Sequence, residues 1–137
     1  MQSLTSIVKK NKTKDALDLL RSGNSASYIA EKDERGMSPF LWACAKGNKD
    51  VIKEILDLSK EEAILKDNNN NTPIHFAARN NHAQILPLLL KAGANCQEAN
   101  SDGSTALHWA AGSGFKDVCI ALLQDGNVHI KGRSLWD

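Results

Sequence analysis

The sequence matches itself at a fixed offset, and this repeat limits what the chain can fold into more than any other feature. Residues 38–43 (SPFLWA) recur as residues 72–77 (TPIHFA) and again as residues 105–110 (TALHWA), at offsets of 34 and 33. A period of 20–50 residues is typical of a solenoid, whose units pack on their immediate neighbours. The chain is therefore predicted to form a linear array of similar units.

Each unit is predicted to hold two short helices. Thr72 can cap the first helix with its hydroxyl, and Pro73 suits the first helical position, where no backbone N–H is needed; Ser38 and Pro39 repeat the pair. The second helix carries apolar residues at i, i+1, i+4 and i+5, which form one amphipathic face. Residues that tolerate a left-handed backbone stand after the first helix and in the preceding turn; they are Gly47, Asn81, Gly114, Gly36, Asn70 and Gly103.

These features resemble the ankyrin repeat. The resemblance is carried by the 33-residue period, the run Thr-Pro-Ile-His-Phe-Ala-Ala from Thr72, and Leu-Leu-x-x-Gly-Ala from Leu89 to Ala94. It implies an all-α solenoid of stacked helix–turn–helix units joined by short β-hairpin loops. We expect one domain, 1–137, made of a degenerate N-terminal capping repeat, three repeats and the start of a truncated fourth; the bounds are 1–32, 33–66, 67–99, 100–131 and 132–137.

The outer units depart from the pattern. Repeat 33–66 lacks the usual glycine and is one residue longer, so its second helix should run on or end in an extra turn. In the capping repeat we expect helices around Leu4 to Val8 and over 15–21. Because 132–137 is too short for a helical pair, we expect either continuation beyond Asp137 or coverage of this edge by another chain, including self-association, with Trp136 docking there.

Composition narrows the class of protein. The chain has 137 residues, 42% of them hydrophobic and 24% charged, with a net charge of +1. The chain has enough apolar residues to fold rather than stay disordered. No apolar run approaches the length of a membrane-spanning helix, and the balanced charge does not favour nucleic acid as a partner. The start of the sequence lacks the pattern of a signal peptide. Three widely spaced cysteines without a C-x-x-C pair fit a reducing intracellular compartment, cytoplasmic or nuclear.

No catalytic, cofactor-binding or metal-binding residues are predicted. His75 and His108 occupy one repeat position, and residues one repeat apart are too distant to share a zinc ion. The resemblance implies instead that such a histidine bonds the turn and orients the helix start. Cys44 and Cys119 fall on apolar helical faces as small core residues, whereas Cys96 is expected to be partly exposed in a hairpin segment.

Two further features keep alternative interpretations open. Trp42, Phe76 and Trp109 occupy one repeat position; they either pack between repeats or line a groove and anchor a partner. The basic run 9–14 is either a solvated capping surface or a nuclear signal or phosphate-binding patch.

The resemblance implies protein–protein recognition through a concave face, with no cofactor, no nucleic acid and no direct membrane insertion. The alternative is a regulatory or targeting N-terminal domain of a longer enzyme or membrane-associated protein. The predicted partner contacts have mixed charges, so they favour neither an acidic nor a basic partner; they are Glu34, Arg35, Met37, Trp42, Lys46, Asn68, Asn69, Asn71, Phe76, Arg79, Asn80, Ser101, Asp102, Ser104, Trp109 and Ser113.

Overall fold

The fold is all-α over the part of the chain that the structure, a computed structural model, describes, which is residues 3–124. No β-strand occurs within that range. The helices are α1 (Leu4–Lys9), α2 (Thr13–Leu20), α3 (Ser25–Ile29), α4 (Pro39–Lys46), α5 (Lys49–Leu58), α6 (Pro73–Arg79), α7 (Leu86–Lys91), α8 (Ala106–Ser113) and α9 (Lys116–Gln124). Single 3-10 turns follow α5 (Lys60–Ile64) and precede α7 (Ala83–Ile85).

The predicted helix starts are confirmed. The Thr72 hydroxyl accepts the backbone N–H of His75 at 3.2 Å, and the Ser38 hydroxyl accepts that of Leu41 at 3.2 Å. A proline occupies the first turn of both α4 and α6. Each cap satisfies one of the backbone donors that a helix start leaves without an internal partner.

The predicted left-handed turns after the first helices are also confirmed. The backbone φ is 67° at Gly47, 61° at Asn81 and 75° at Gly114. Gly47 has a second reason to be glycine, because a Cβ there would lie 2.6 Å from Nδ1 of His82. The His82 ring is held in that place by its Nε2–H, which donates to the carbonyl of Ala45 at 3.0 Å. The turn of one repeat is therefore shaped by a side chain of the next.

Two helical layers enclose the core. The first helices α1, α4, α6 and α8 pack in that order, and the second helices lie behind them. The tight approach of α6 and α8 is possible because Ala77 and Ala110 are fully buried and present only a methyl group. Leu89 of α7 and Leu122 of α9 are fully buried from the second layer. This continuous apolar core holds the first helices, and the loops before them, in a fixed row.

The N-terminal helices α1 and α2 and the extra turn after α5 agree with the sequence predictions. Helix α3 was not predicted. The expectation that Cys96 is partly exposed is wrong, because only 4% of its surface is exposed. The chain turns inward after α7, so Cys96 joins the core while its neighbours Asn95 and Gln97 face outward.

The expected hairpins are loops closed by backbone hydrogen bonds rather than paired strands. In one of them the N–H of Asp67 donates to the carbonyl of Asn71 at 3.1 Å, and the N–H of Asn70 donates to that of Asp67 at 3.1 Å. Asn70 adopts the predicted left-handed conformation, with φ 63°. The predicted repeat start at 132–137 lies outside the described residues.

Candidate functional site: the hairpin groove

Each hairpin loop is folded around one side chain at its base. Oδ1 of Asp67 accepts the backbone N–H groups of Asn69 at 2.9 Å and Asn71 at 2.8 Å. The equivalent residues of the other loops, Asp33 and Asn100, bond their own loops in the same way. These are Asx-type turns, which fix the loop without any strand pairing. Three similar loops therefore project from the ends of the first helices.

Backbone hydrogen bonds join neighbouring loops. The N–H of Asn68 donates to the carbonyl of Arg35 at 2.9 Å, and the N–H of Ser101 donates to that of Asn69 at 2.9 Å. Inside the row, the Asn100 amide Nδ2–H donates to Oδ1 of Asn71 at 2.8 Å. The loops consequently form one ledge that is held rigid over its length.

His75 ties a helix start to the next loop. Its Nδ1 accepts the backbone N–H of Thr72 at 3.1 Å, so the ring proton is on Nε2, which donates to the carbonyl of Ser104 at 2.8 Å. Burial lowers the pKa of His75, against the raising effects of its bond to Ser104 and of nearby carboxylates, and so favours this neutral ring. His108 caps α8 in the same manner, with Thr105 N–H 3.1 Å from its Nδ1. The structural interpretation of both histidines is confirmed.

Asp33 bonds the side chain of Trp42 as well as its own loop. Its Oδ2 accepts the indole N–H of Trp42 at 3.1 Å, which fixes the ring against the first hairpin. Burial raises the pKa of Asp33, but hydrogen bonds from Met37, Trp42 and Arg35 and the charge of Lys9 together lower it below its usual value. The carboxylate is therefore ionised and already engaged within the chain.

Two adjoining hollows lie between the ledge and the first helices, and we call them together the hairpin groove. The first hollow, of about 330 Å³, is lined by residues of the first two loops and of α4 and α6, among them Arg35, Trp42, Lys46, Asp67 and Arg79. The second hollow, of about 610 Å³, lies over α8 and includes Asp102, His108, Trp109 and Ser113. The side chains of Asn69, Asn71 and Arg79 border both hollows. The two hollows therefore form one continuous depression.

Trp42, Phe76 and Trp109 were expected either to pack between repeats or to line a groove, and the structure shows both roles. Phe76 is 6% exposed and belongs to the core. Trp42 and Trp109 are partly buried, and each borders one hollow. The Trp109 ring meets the edge of the His75 ring at a centroid distance of 5.1 Å. Phe76 therefore packs in the core and lines the first hollow with little exposed surface, while each tryptophan also presents surface to the groove.

Cations cover the outer faces of both tryptophans. Nζ of Lys9 lies 5.0 Å from the centre of the Trp42 ring, and the guanidinium carbon of Arg79 lies 5.7 Å from that of Trp109. Both distances fall within the range of cation–π attraction. The basic run 9–14 therefore contributes one lysine to the surroundings of Trp42, a role that the sequence did not reveal.

Most of the predicted contact residues border the groove. Glu34, Asn68, Ser101 and Ser104 do not border either hollow, and all four take part in hydrogen bonds of the ledge. Met37 and Asn71 are buried, like Phe76, so each offers little surface to a partner. Their burial follows from loop geometry, because the inward residue of each hairpin must cover the core. The groove residues that sequence reasoning missed are Ala45, Asp67, Asn100, His108 and Gly112.

A separate outer hollow of about 400 Å³ lies on the opposite layer, between α5 and α7. Its apolar floor includes Leu56 and Leu88, and its rim carries the charged residues Lys53, Asp57, Lys60 and Lys91. Within residues 3–124, no group of His, Cys, Asp or Glu side chains is placed to hold a metal ion. No helix of that range has the length and apolar character needed to cross a bilayer.

Comparison with known proteins decides the family. A family model described as "Ankyrin repeats (3 copies)" matches residues 4–100 and 61–133. The chain belongs to the ankyrin-repeat family. Ankyrin repeats are generally non-catalytic modules of protein–protein interaction, and the stacked helix pairs and hairpin ledge described above are the corresponding architecture.

Relatives with this repeat are larger proteins. The chain is 32% identical over 123 residues to Dauer abnormal formation protein 25 of Caenorhabditis elegans, covering 90% of this chain and 30% of that protein. It is 30% identical over 128 residues to the human transient receptor potential cation channel subfamily A member 1, covering 93% and 11%. Human SH3 and multiple ankyrin repeat domains protein 2 is 34% identical over 115 residues, covering 82% and 6%. The chain thus spans less than a third of the length of these relatives.

Proposed function

We propose that this chain is a non-catalytic recognition module that binds a segment of another protein in the hairpin groove. The observation that carries the proposal is the rigidity of the groove together with its two tryptophans. The ledge is fixed by inter-loop hydrogen bonds at 2.9 Å, so little conformational freedom is lost when a partner docks. Tryptophan and arginine are the residues most enriched among binding hot spots.

The family and the exposed side chains of the groove support the proposal. Ankyrin repeats generally bind proteins, and the groove is built from the loops and first helices of repeats 33–66, 67–99 and 100–131. The groove side chains Arg35, Lys46 and Asn69 are exposed, and they make no contribution to the core. Side chains that are exposed on a rigid scaffold and dispensable for folding are available for recognition.

A second proposal is that the module regulates or targets a longer protein. It is supported by the relatives, in which a region like this chain makes up between 6% and 30% of the whole. One of them is named for an SH3 domain beside its ankyrin repeats, and another is a cation channel subunit. Under this proposal the groove would bind either a partner or another part of the same protein. An intracellular location, which the buried thiols suit, belongs to both proposals.

The test is affinity capture from the native cell with three forms of the chain. They are the wild type, a groove variant with alanine at Arg35, Arg79 and Asp102, and an outer variant with alanine at Lys53, Glu54 and Lys91. We expect the wild type and the outer variant to retain the same proteins and the groove variant to lose them. Loss of capture by the outer variant alone would refute the proposal. Melting curves of all three forms show whether each variant is folded.

A further inference from the structure

The first hollow of the hairpin groove carries more positive than negative charge. Arg35, Lys46 and Arg79 border the first hollow, and Asp67 is the acidic residue on its wall. Both oxygens of Asp67 are used within the loop, since Oδ1 accepts two backbone N–H groups and Oδ2 accepts the Asn71 amide at 3.1 Å. The predicted contact residues have charges of both signs. In the first hollow, however, both carboxylate oxygens of Asp67 are already hydrogen-bonded, whereas the three cations are exposed.

None of these three cations forms a salt bridge in the part of the chain that the structure describes. The salt bridges found in residues 3–124 are Arg21 with Glu54 and Lys66 with Glu98, and neither pair touches the groove. Arg79 is held by the Trp109 ring rather than by a carboxylate. Its guanidinium edge therefore keeps the paired N–H donors that match a carboxylate.

From this arrangement we propose that the first hollow receives acidic side chains, so that the partner segment is an extended peptide rich in Asp or Glu. The inference rests on the proposed function and adds the chemistry of the partner to it. A hollow of about 330 Å³ bordered by three cations fits one or two carboxylates, whose charge the exposed Arg35, Lys46 and Arg79 would neutralise. Asn69, at the junction with the second hollow, adds an amide that can bond a peptide backbone.

The second hollow sets the register of that peptide. Asp102 is exposed on its rim and would repel acidic residues there. The peptide should therefore carry its acidic residues over the first hollow and uncharged residues over Trp109. A uniformly acidic segment would fit this groove less well than one with charge at a single end.

The outer hollow supplies a matched comparison. It is bordered by Lys53, Lys60, Lys91 and Asp57, so its count of charges is the same as that of the first hollow. It shares no lining residue with the groove. Its floor consists of aliphatic side chains, whereas the groove also has asparagine and tryptophan side chains. Removal of three charges from either surface changes the net charge equally, which separates a local site from general attraction.

The experiment is selection of displayed random peptides of about 12 residues, which reach ~40 Å when extended. The full chain is the bait. Selected peptides are then measured by fluorescence anisotropy against a groove variant (Arg35→Gln, Lys46→Gln, Arg79→Gln) and an outer variant (Lys53→Gln, Lys60→Gln, Lys91→Gln). We expect acidic residues to be enriched at one end of the peptide. The groove variant should bind about tenfold more weakly and the outer variant within about twofold of the wild type. Binding should also weaken as salt rises.

Three other outcomes would overturn the inference in distinguishable ways. Selected peptides without acidic enrichment that still lose binding to the groove variant would refute the acidic preference and leave the proposed function standing. Peptides that respond to the outer variant alone, or no selected peptide at all, would count against both. Groove-dependent binding of a single-stranded DNA oligonucleotide that exceeds that of the peptides would assign the cations to phosphate instead.

Discussion

Nε2 of His75 lies 2.8 Å from the carbonyl oxygen of Ser104, so the helix start of one repeat is bonded to the hairpin loop of the next. The same ring accepts the N–H of Thr72 in its own repeat. One buried side chain thereby fixes both the cap of α6 and the position of the third loop. The relationship explains why the groove is continuous between its two hollows.

Replacement of His75 should therefore destabilise more than replacement of its equivalent His108. His75→Ala leaves the buried Thr72 N–H without a partner and removes one of the two hydrogen bonds of the Ser104 carbonyl, which keeps that from Asn100; the cost is about 1–3 kcal/mol. His108 is exposed, so water replaces its bonds and the loss should stay below ~1 kcal/mol. Urea titration measures both free energies of unfolding. Equal losses would show that the bridge to Ser104 adds nothing.

Stability should fall as the pH drops below about 6.5, the ordinary pKa of histidine. The pKa of His75 is lowered in the folded chain, so the unfolded chain binds the proton first and gains from acidification. The contribution of His75 is fully present above that pH and is lost as the pH falls toward the folded pKa. The drop in unfolding free energy from pH 7.5 to 5.5 should be smaller in His75→Gln than in the wild type.

Glu62 should weaken the fold at neutral pH. Its Oε1 is buried without a hydrogen-bond partner, and burial and the charge of Glu61 raise the pKa of Glu62 in spite of Lys32. Because the pKa of Glu62 is higher in the folded chain than in the unfolded chain, Glu62 stabilises the fold only below its unfolded pKa. This contribution is lost as the pH rises through the folded pKa. Glu62→Gln should raise the free energy of unfolding by about 1 kcal/mol at pH 7.5, with little gain near pH 4. The exposed Glu34→Gln is the control, and equal gains from both would refute the assignment.

Leu122 and Leu123 provide a test of the second helical layer within one helix. Leu122 is fully buried, whereas Leu123 is 37% exposed. Leu122→Ala should cost ~2–5 kcal/mol, because it leaves a cavity between neighbouring helices, and Leu123→Ala should cost less than ~1 kcal/mol. Denaturant titration of the two variants checks the difference. A larger loss for Leu123 would mean that α9 is rotated relative to the core.

Features set by local sequence could be predicted from the residues alone. The caps at Ser38 and Thr72 and the left-handed Asn81 depend on neighbours within a few positions, and the repeat displays them more than once. The burial of Cys96 could not be predicted, because it depends on how the chain turns back after α7. The place of Lys9 over Trp42 joins positions 33 residues apart and has no local signal.

The contact residues show the same limit. Repeat position identifies Arg35, Arg79 and Trp109 as neighbours of one surface, and the structure places all three at the groove. Repeat position does not indicate that Met37 faces the core. Nor does it indicate that the carboxylates of Asp33 and Asp67 accept hydrogen bonds from their own loops. Those distinctions depend on hydrogen bonds that only the folded loop makes.

The central claim, that the groove binds a protein segment, is tested most directly by site-specific photo-cross-linking. A photoreactive residue is placed at Asn69, where the two hollows meet, or at Asp57 on the rim of the outer hollow; both positions are exposed. With a partner captured from the native cell, we predict a cross-link from position 69 and none from position 57. A cross-link from position 57 alone would contradict the account.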